Sequence, residues 1–382
     1  MKITNVECMV LDSKKNYITP KGIEEPIGVR YTCLIKVETD EGITGWSDIE
    51  TQPHVAKAVV DVPPSNSSAG AFEGLKELVI GEDPFEVERL WDKVYRGSIY
   101  YGRRGVAIQV LSGFDIACWD IMGKATGKPI YKLLGAGYRK KVRAYASGVK
   151  RETPEGMRLI CEKYKKDGFT AVKFGFMGGG KELNVELVKA AREALGNDID
   201  LLVDLGWIDY YRLPFDAIQL CKEIEPYNVF FIEDFLHPED YDGYARVSKN
   251  VNNIRIAAGE QEATPWGFKE LIERGKIDIV QPDISRCGGF TTARKVMWMA
   301  QQNSIDVVCH AWLSDLLTAA SLHINAALPR SLFVEYNVCG GNVLQEIIKN
   351  PLKIKNGYIE VPEGPGLGIE VDEEIVNKYR IL

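Results

Sequence analysis

Three acidic residues, Asp204, Glu233 and Glu260, lie 29 and 27 residues apart, and each ends a short apolar run. A β-strand and its returning helix take about that many residues, so the spacing assigns one strand–helix unit to each carboxylate. In a parallel barrel the carboxyl ends of the strands share one face, where active sites lie. Three carboxylates gathered there would repel one another without a divalent cation between them. Oxygen ligands favour a hard ion, so the pattern predicts Mg²⁺, with Mn²⁺ as the alternative.

The alternative for each acid is a helix cap or a salt bridge after a buried strand. The repeated register favours the metal site over three unrelated acids. The same rhythm continues in both directions along the chain. Eight short strands are predicted, at residues 142–145, 171–173, 201–204, 230–233, 257–260, 279–283, 307–310 and 332–335.

Segments with apolar residues at helical spacing separate these strands, at 156–166, 183–195, 214–224, 265–274 and 293–302. Alternating strands and helices predict a parallel sheet, and eight of them predict a closed barrel. A doubly wound sheet is the rival fold. That fold would not normally place polar residues at so many strand ends, so the barrel is preferred.

The first 125 residues predict a separate α+β unit. An alternating run at 32–39 turns at 40–43 into a second run at 44–46, which is typical of a hairpin. Helical patterns follow at 69–79, 84–94 and 106–124. We therefore expect an N-terminal domain over 1–125, joined by the C-terminal segment 358–382, and a barrel over 126–357.

Composition is that of a globular enzyme-sized chain, with 45% hydrophobic and 26% charged residues among 382. The net charge of −7, with acids and bases interspersed, argues against nucleic acid as a partner. No apolar run approaches the roughly 18 residues of a membrane span, so no membrane association is expected. Eight cysteines are scattered without a Cys-x-x-Cys pair, which favours buried thiols in a reducing cytoplasm over disulfides or zinc.

Two further strand ends carry Asp283 and His310. With the three carboxylates, this Asp–His pair resembles the mandelate racemase subgroup of the enolase superfamily. The resemblance covers nearly the whole chain. Local stretches that support it are residues 112–120, 129–135 and Gln281-Pro282-Asp283. The stretches 226–228 and 287–292 look closest to rhamnonate dehydratases.

The resemblance implies a modified (β/α)₇β TIM-like barrel with an N-terminal α+β capping domain. It also implies a role for each matching residue: Asp204, Glu233 and Glu260 as metal ligands, Asp283 and His310 as the dyad, Glu335 as a hydrogen-bonding partner of the substrate carboxylate or enolate, and Lys173 as the first lysine of a Lys-x-Lys pair. The chain departs from the pattern at Gly175, where the second lysine is missing. The lysine that other members place on the sixth strand is also absent, since Ile284-Ser285-Arg286 stands there.

These residues suit the removal of a proton α to a carboxylate, which is too weakly acidic for an ordinary base. A divalent ion bound to the substrate carboxylate would stabilise the enediolate that forms. Adjacent parallel strands lie about 4.8 Å apart, so Asp283 can reach His310, fix its tautomer and raise its basicity. The alternative for His310 is a core histidine at a strand end. Lys173 would lend a positive charge, and a salt bridge to Asp204 is compatible with that role.

The sequence therefore predicts an Mg²⁺-dependent dehydratase that converts a sugar acid to a 2-keto-3-deoxy acid. A rhamnonate-like aldonate is the leading substrate, while galactonate, xylonate, arabinonate, lyxonate and aldarates remain open. Capping-domain loops at 17–26, 51–54 and 100–104 are expected to choose among them. The alternatives are a racemase or epimerase of a 2-hydroxy acid on the same scaffold, and a non-catalytic metal-stabilised binding protein. The expected assembly is a homo-oligomer.

Overall fold

The chain begins with a three-stranded antiparallel sheet. The computed structural model describes residues 1–14, 30–65, 70–175, 180–206, 213–339 and 343–382. The strands are β1 (Ile3–Asp12), β2 (Tyr31–Thr39) and β3 (Thr44–Ile49), in the order β1-β2-β3. The turn between β2 and β3 contains Gly42 at φ 76°, a left-handed conformation that glycine adopts without strain. The alternating pattern correctly predicted this hairpin.

Helices follow this sheet and pack on it. They are α1 (Pro53–Asp61), α2 (Leu75–Val79), α3 (Val87–Gly97), α4 (Ile99–Gly102), α5 (Val106–Thr126) and α6 (Ile130–Leu133). The helix predicted at 69–79 was too long, because residues 70–74 are not helical. Gly74 is extended and passes so close to Val62 that a Cβ on Gly74 would lie 2.4 Å from the Val62 carbonyl oxygen.

Helix α5 is long and apolar enough to cross a membrane by length and composition alone. However, 83% of its most apolar window is buried inside the protein. The helix contacts β2 and β3 on one side and a barrel helix on another. It is therefore a core helix that joins the two parts of the molecule.

The second part is a barrel of parallel strands in which a helix joins each strand to the next. The strands are β4 (Lys141–Val149), β5 (Ala171–Gly175), β6 (Asp200–Asp204), β7 (Val229–Glu233), β8 (Arg255–Ala258), β9 (Ile279–Val280), β10 (Asp306–Val307) and β11 (Val334–Asn337). The helices between them are α7 (Pro154–Lys166), α8 (Gly180–Leu195), α9 (Pro214–Ile224), α10 (Tyr241–Asn250), α11 (Thr264–Gly275), α12 (Gly289–Gln302) and α13 (Asp315–Ala327).

Strands β4 to β10 pair in chain order, and β11 returns to pair with β4. Within the described ranges this gives eight strands and seven intervening helices, which confirms the predicted (β/α)₇β architecture. Local sequence sets several helix starts. Thr153 caps α7 by accepting from the amide of Gly156, and Ser314 caps α13 by accepting from that of Leu316.

A ring of apolar side chains fills the barrel interior. Each of the eight strands, or the residue adjoining it, supplies one member: Tyr145, Ala171, Leu202, Phe231, Ala257, Ile279, Val308 and Phe333. All eight are essentially inaccessible to solvent. The barrel is thus a packed core, and this layer is the floor on which any site at the carboxyl ends must rest.

The C-terminal segment contains α14 (Val343–Glu346), β12 (Ile354–Lys355), β13 (Tyr358–Glu360) and α15 (Glu373–Tyr379). Strand β13 pairs antiparallel with β4 of the barrel. Beyond it the chain returns to the first sheet, where the amide of Ile381 donates to the carbonyl oxygen of Val10 at 2.9 Å. The segment therefore contacts both the barrel and the N-terminal unit.

Candidate active site

The apolar floor is followed by a polar layer two residues further along each strand. Alternate residues of a strand face the same side, so these positions also point into the barrel. The layer consists of Ser147, Lys173, Asp204, Glu233, Gly259, Gln281, His310 and Glu335. Five of the seven residues singled out in the sequence therefore occupy one layer. The other two, Glu260 and Asp283, lie just beyond it.

The carboxylates assigned to a metal lie on neighbouring strands. Asp204 and Glu233 are direct partners in the β6–β7 register. Glu260 comes two residues after β8 ends, so it lies in a loop and not at the predicted strand end. Oxygens of Glu233, Glu260 and Asp234 lie within 4.8 Å of one another. Asp234 is an acid that the sequence analysis missed, although it directly follows Glu233.

Asp204 and Asp234 differ in where they lie. Asp204 lines a cavity of about 130 Å³ at the carboxyl end of the barrel. Asp234 lines a separate small cavity with Tyr244 and Leu271. The geometry thus brings together Glu233 and Glu260 as predicted, and leaves both Asp204 and Asp234 as possible third ligands.

Lys173 joins the carboxylates to one another. Its ammonium nitrogen lies 3.0 Å from both carboxylate oxygens of Glu233. It is also 3.3 Å from Asp204 Oδ2 and 3.1 Å from Glu335 Oε1. Burial lowers the pKa of Lys173, but the surrounding carboxylates outweigh burial and raise it well above its usual value. Lys173 is therefore a fixed cation, and the expected salt bridge to Asp204 is present.

The acid cluster is under electrostatic strain even with Lys173 present. Burial and the neighbouring carboxylates raise the pKa of Glu233 to about 8, although the Lys173 ammonium opposes the rise. Burial and the same neighbours raise the pKa of Asp234 well above its usual value. A group of buried oxygen donors that repel one another suits a hard divalent cation. The residues present therefore fit Mg²⁺ or Mn²⁺.

Asp283 and His310 form a hydrogen-bonded pair. Their backbones meet as an isolated parallel bridge just beyond β9 and β10. The Nδ1 atom of His310 lies 2.7 Å from Asp283 Oδ2. The other carboxylate oxygen of Asp283 accepts from the amide and hydroxyl of Ser285 at 2.7 and 2.6 Å. The carboxylate is thus held in place, and it directs His310 Nε2 away from Asp283.

The Nε2 atom of His310 lies 3.1 Å from Glu260 Oε2. Burial lowers the pKa of His310, but Glu260 and Glu335, with the hydrogen bond that Nδ1 donates to Asp283, raise it well above its usual value. Burial raises the pKa of Glu335, whereas Lys173 and His310 lower it to about 2. Glu335 is therefore an anion that holds both cations.

Glu335 is itself fixed by two donors. Its Oε1 atom accepts from the hydroxyl of Ser147, and its Oε2 atom accepts from the amide of Ala311 at 2.7 Å. The side chain is fully buried. A ligand can therefore contact the Glu335 oxygens only from directions that Lys173 and His310 do not occupy.

The N-terminal unit contributes Glu50, which the sequence analysis did not find. Glu50 follows β3, and its Oε1 atom lies 2.6 Å from Arg286 of the barrel. Its Oε2 atom lies 3.7 Å from His310 Nδ1. Arg286 also lies 3.5 Å from Glu260 Oε1. Burial raises the pKa of Glu50 to about 6, against the opposing charges of Arg286 and His310.

Three capping-domain loops were predicted to select the substrate, and the structure describes two of them. Residues 17–26 lie outside the described ranges. His54 is exposed and packs edge-on against Tyr31. Residues 100–104 line a surface cavity separate from that of His310. Neither described loop therefore reaches the candidate cavity. The charged residues that do line it are Glu50, Lys150, Lys173, Asp204, Glu260, Arg286, His310 and Glu335.

The remaining histidines are outside the site. His323 is buried, stacks on Tyr131, and its Nε2 atom lies 3.1 Å from the Leu367 carbonyl oxygen. Burial lowers its pKa to about 4. His323 is therefore a structural residue. All eight cysteines are buried free thiols.

Comparison with known proteins agrees with this geometry. Residues 157–375 match the family described as "Enolase C-terminal domain-like". Residues 27–135 match the "Mandelate racemase / muconate lactonizing enzyme, N-terminal domain". The chain belongs to the enolase superfamily. The predicted membership in its mandelate racemase branch is confirmed.

Relatives with named activities span nearly the whole chain. The D-galactarolactone cycloisomerase of Agrobacterium fabrum is 31% identical and covers 100% of this chain and 99% of its own. The arabinonate dehydratase of Saccharolobus solfataricus is 31% identical over 97% and 95% of the two chains. The D-galactonate dehydratase of Ralstonia pickettii is 32% identical over 90% and 89%.

Among solved structures, the 3,6-anhydro-D-galactonate cycloisomerase of Zobellia galactanivorans superposes with a TM-score of 0.88. It is 30% identical and covers 100% of both chains. The chain described here is therefore an enzyme of the lyase class, and its relatives include sugar acid dehydratases.

Proposed function

We propose that this enzyme dehydrates a sugar acid to a 2-keto-3-deoxy acid, with Mg²⁺ bound by Asp204, Glu233 and Glu260. The observation that supports this most strongly is the Asp283–His310 pair, whose second imidazole nitrogen, Nε2, lies at a cavity lined by carboxylates and Lys173. A pure binding site has no use for a buried base held by its own carboxylate.

When bound, the Mg²⁺ ion would supply Lewis-acid stabilisation of the charge that develops on the substrate carboxylate. The protein residues do the rest. His310 must be neutral to act as the base, and with Glu260 committed to Mg²⁺ one of the anions that favour its protonated form would be withdrawn. Its Nε2 atom then removes the C2 proton, while Asp283 holds the imidazole tautomer and stabilises the imidazolium. Lys173, fixed by its carboxylate partners, supplies positive charge near the developing oxyanion. Glu335 orients Lys173 and His310.

The leaving group is the 3-hydroxyl. After it departs, the enol formed between C2 and C3 takes up a proton at C3 and becomes the 2-keto acid. The only atoms lost are those of water. A rhamnonate-like aldonate remains the proposed substrate, although the relatives named for arabinonate and galactonate do not single it out.

The test is a panel of aldonates and aldarates that includes L-rhamnonate, D-galactonate and D-arabinonate. The purified enzyme with Mg²⁺ should form a 2-keto acid from at least one member, detected as a semicarbazone. The absence of any 2-keto acid from the whole panel, with the metal site loaded, would contradict the proposal.

A second candidate is cycloisomerisation of a lactone or anhydro sugar acid. It is favoured by two cycloisomerases that each match this chain over its full length. Both reactions can begin with removal of a proton α to a carboxylate. They differ in the leaving oxygen, which stays attached to the product when a ring opens. Mass spectrometry separates them, because dehydration lowers the mass by one water and isomerisation leaves it unchanged.

A further inference from the structure

Lys150 lies in the candidate cavity, and the family resemblance gave it no role. It directly follows β4 and lines the cavity with Lys173, Asp204 and His310. Its side chain lies over Gly175 at the end of β5. A Cβ built on Gly175 would be 3.0 Å from Lys150 Cε and 3.7 Å from Lys150 Cγ. A larger residue at 175 would therefore press on Lys150, and glycine leaves room for it.

The two cavity lysines differ in their partners. Lys173 is surrounded by three carboxylates at 3.0–3.3 Å. Within the described part of the chain, the ammonium group of Lys150 makes no hydrogen bond or ion pair, and the residue is only half-buried. Lysine has three donor hydrogens and no acceptor. The Lys150 ammonium is therefore available to a ligand in a way that the Lys173 ammonium is not.

Lys150 and His310 approach the cavity from different sides. The strand order runs from β10 through β9, β8, β7 and β6 to β5 and β4, with β11 beside β4. Lys150 lies where β4 and β5 end, and His310 follows β10. Going round the barrel the shorter way from β4, which Lys150 follows, to β10, which His310 follows, crosses one strand, β11. A substrate bound in the cavity would therefore contact the two residues from different directions.

We propose that Lys150 is the general acid of the reaction and protonates the oxygen that leaves C3. This inference rests on the proposed dehydration. An ammonium that meets no protein carboxylate can give its proton to a substrate oxygen, whereas Lys173 is held by fixed anions. His310 and Lys150 then divide the two proton transfers between two separate positions in the cavity.

The steps balance. His310 takes the C2 proton, and the electron pair of that bond moves into the carboxylate to give the enediolate. When the enediolate collapses, the pair becomes the C2–C3 double bond as the C3–O bond breaks. The departing oxygen takes the electron pair of its bond and a proton from Lys150, and leaves as water. The enol then receives at C3 the proton held by His310. Its hydroxyl proton returns to the Lys150 amine, so both residues recover their starting states.

The test separates the two proton transfers with Lys150→Met and Lys150→Arg, each in Mg²⁺ and deuterated water. The probe is whichever of D-galactonate, D-arabinonate and L-rhamnonate wild type dehydrates fastest. Both variants should lose about 10²–10⁴-fold in product formation, the usual contribution of general acid catalysis. Both should still exchange deuterium into C2 of recovered substrate, because His310 and Asp283 are intact. Lys150→Arg should keep KM near the wild-type value, since it keeps the charge but not a transferable proton.

A leaving group that needs no proton provides the second measurement. The 3-deoxy-3-fluoro analogue of the same acid releases fluoride, which departs unprotonated. Lys150→Met should therefore eliminate fluoride at nearly the wild-type rate, followed with a fluoride electrode. The matched control is Lys166→Met, an exposed lysine at the end of α7, which should behave as wild type throughout.

The possible results are distinct. Equal loss of C2 exchange and product in Lys150→Met, or no loss at all, overturns the general-acid role. So does a fluoro substrate that is not rescued. If wild type neither exchanges C2 nor forms product from any of the three acids, the proposed dehydration itself fails.

Discussion

His310 lies between two carboxylates that have different tasks. Asp283 meets Nδ1 at 2.7 Å and is itself fixed by Ser285, so it sets the tautomer. Glu260 meets Nε2 at 3.1 Å and also belongs to the acid cluster assigned to the metal. The base and the proposed metal site therefore share a carboxylate, and a substrate bound between them would be close to both.

The dyad makes the first prediction. His310→Asn should lower the rate by at least about 10²–10⁴-fold, the contribution of one general base. Asp283→Asn should lower it less, because Asp283 orients the base without carrying the substrate proton. Steady-state kcat on the best aldonate measures both. A His310→Asn variant with wild-type turnover would contradict the assignment of the base.

The metal ligands make the second prediction. Asp204→Asn and Glu233→Gln should each weaken Mg²⁺ and Mn²⁺ binding by more than the roughly 10–100-fold typical of outer-shell partners. Asp234→Asn should weaken it less, because Asp234 lines a separate cavity. Isothermal titration calorimetry with each ion gives the three affinities. Chelation should abolish activity, and added Mg²⁺ or Mn²⁺ should restore it. The reverse order of Asp204 and Asp234 would make Asp234 the third ligand.

At the scale of elements, the end of β5 decides the stereochemistry. Lys173 is held by three carboxylates, and Gly175 carries no side chain. Interconversion of C2 epimers needs a base on each face of the enediolate, and among the residues that the structure describes only His310 is positioned as one. Lys150 enters the space beside Gly175, but we assign it to the leaving oxygen.

This arrangement makes the third prediction. The enzyme should exchange the C2 hydrogen of one configuration only and should not interconvert C2 epimers. Proton NMR in deuterated water, run on a matched pair of C2-epimeric aldonates, measures both. Comparable exchange of the two epimers would identify a second base, with Lys150 the first residue to substitute, and an epimerase would then replace the dehydratase.

Strand periodicity explains which site residues the sequence could reveal. Four of these residues follow the apolar floor by two positions on their strands: Lys173, Asp204, Glu233 and Glu335. The alternation of each strand therefore predicts that their side chains point into the barrel. Glu260 lies in a loop. Its spacing of 27 residues from Glu233 still indicated a place near the other acids, because the strand–helix units have similar lengths.

Glu50 and Lys150 could not be found in this way. Glu50 reaches the barrel only because the N-terminal unit packs against it. Lys150 can enter the cavity because Gly175, on the neighbouring strand, has no side chain to occupy that space. Both contacts arise from tertiary packing between segments that are distant in sequence or lie on different strands, and no local pattern encodes them. The shortened helix α2 has the same kind of cause, since Gly74 passes close to Val62.

At the scale of the whole molecule, the N-terminal unit and the barrel are joined by polar contacts. Arg286 of the barrel pairs with Glu50. Asp48 of β3 accepts from the amide of Ser314 at 2.9 Å, where α13 begins. We propose that the boundary between the two domains lies at residue 125. The homo-oligomer and the cytoplasmic location also stay predictions, and light scattering coupled to size-exclusion chromatography checks the first.

Asp115 provides a pH-sensitive link between the two units. It lies on α5 and accepts from the amide of Thr291, in the first turn of α12 of the barrel, at 3.0 Å. The side chain is buried, and burial raises its pKa from 3.8 to about 7. Between these two pH values the folded protein holds a proton that the unfolded chain has released. Stability must therefore fall as the pH rises through this window and level off above about 7.

The fourth prediction follows from that sign. Each pH unit within the window should change the free energy of unfolding by about 1.4 kcal/mol. From pH 5.5 to 8, wild type should therefore lose about 2 kcal/mol relative to Asp115→Asn. The variant keeps an acceptor oxygen for Thr291 but does not titrate. Urea unfolding of both proteins at several pH values, with Mg²⁺ held constant because bound ligand adds stability, gives the difference directly. Taking that difference cancels groups that titrate in both proteins, such as His323. Parallel stability curves for the two proteins would mean that Asp115 stays ionised in the folded state and that the link between α5 and α12 does not respond to pH.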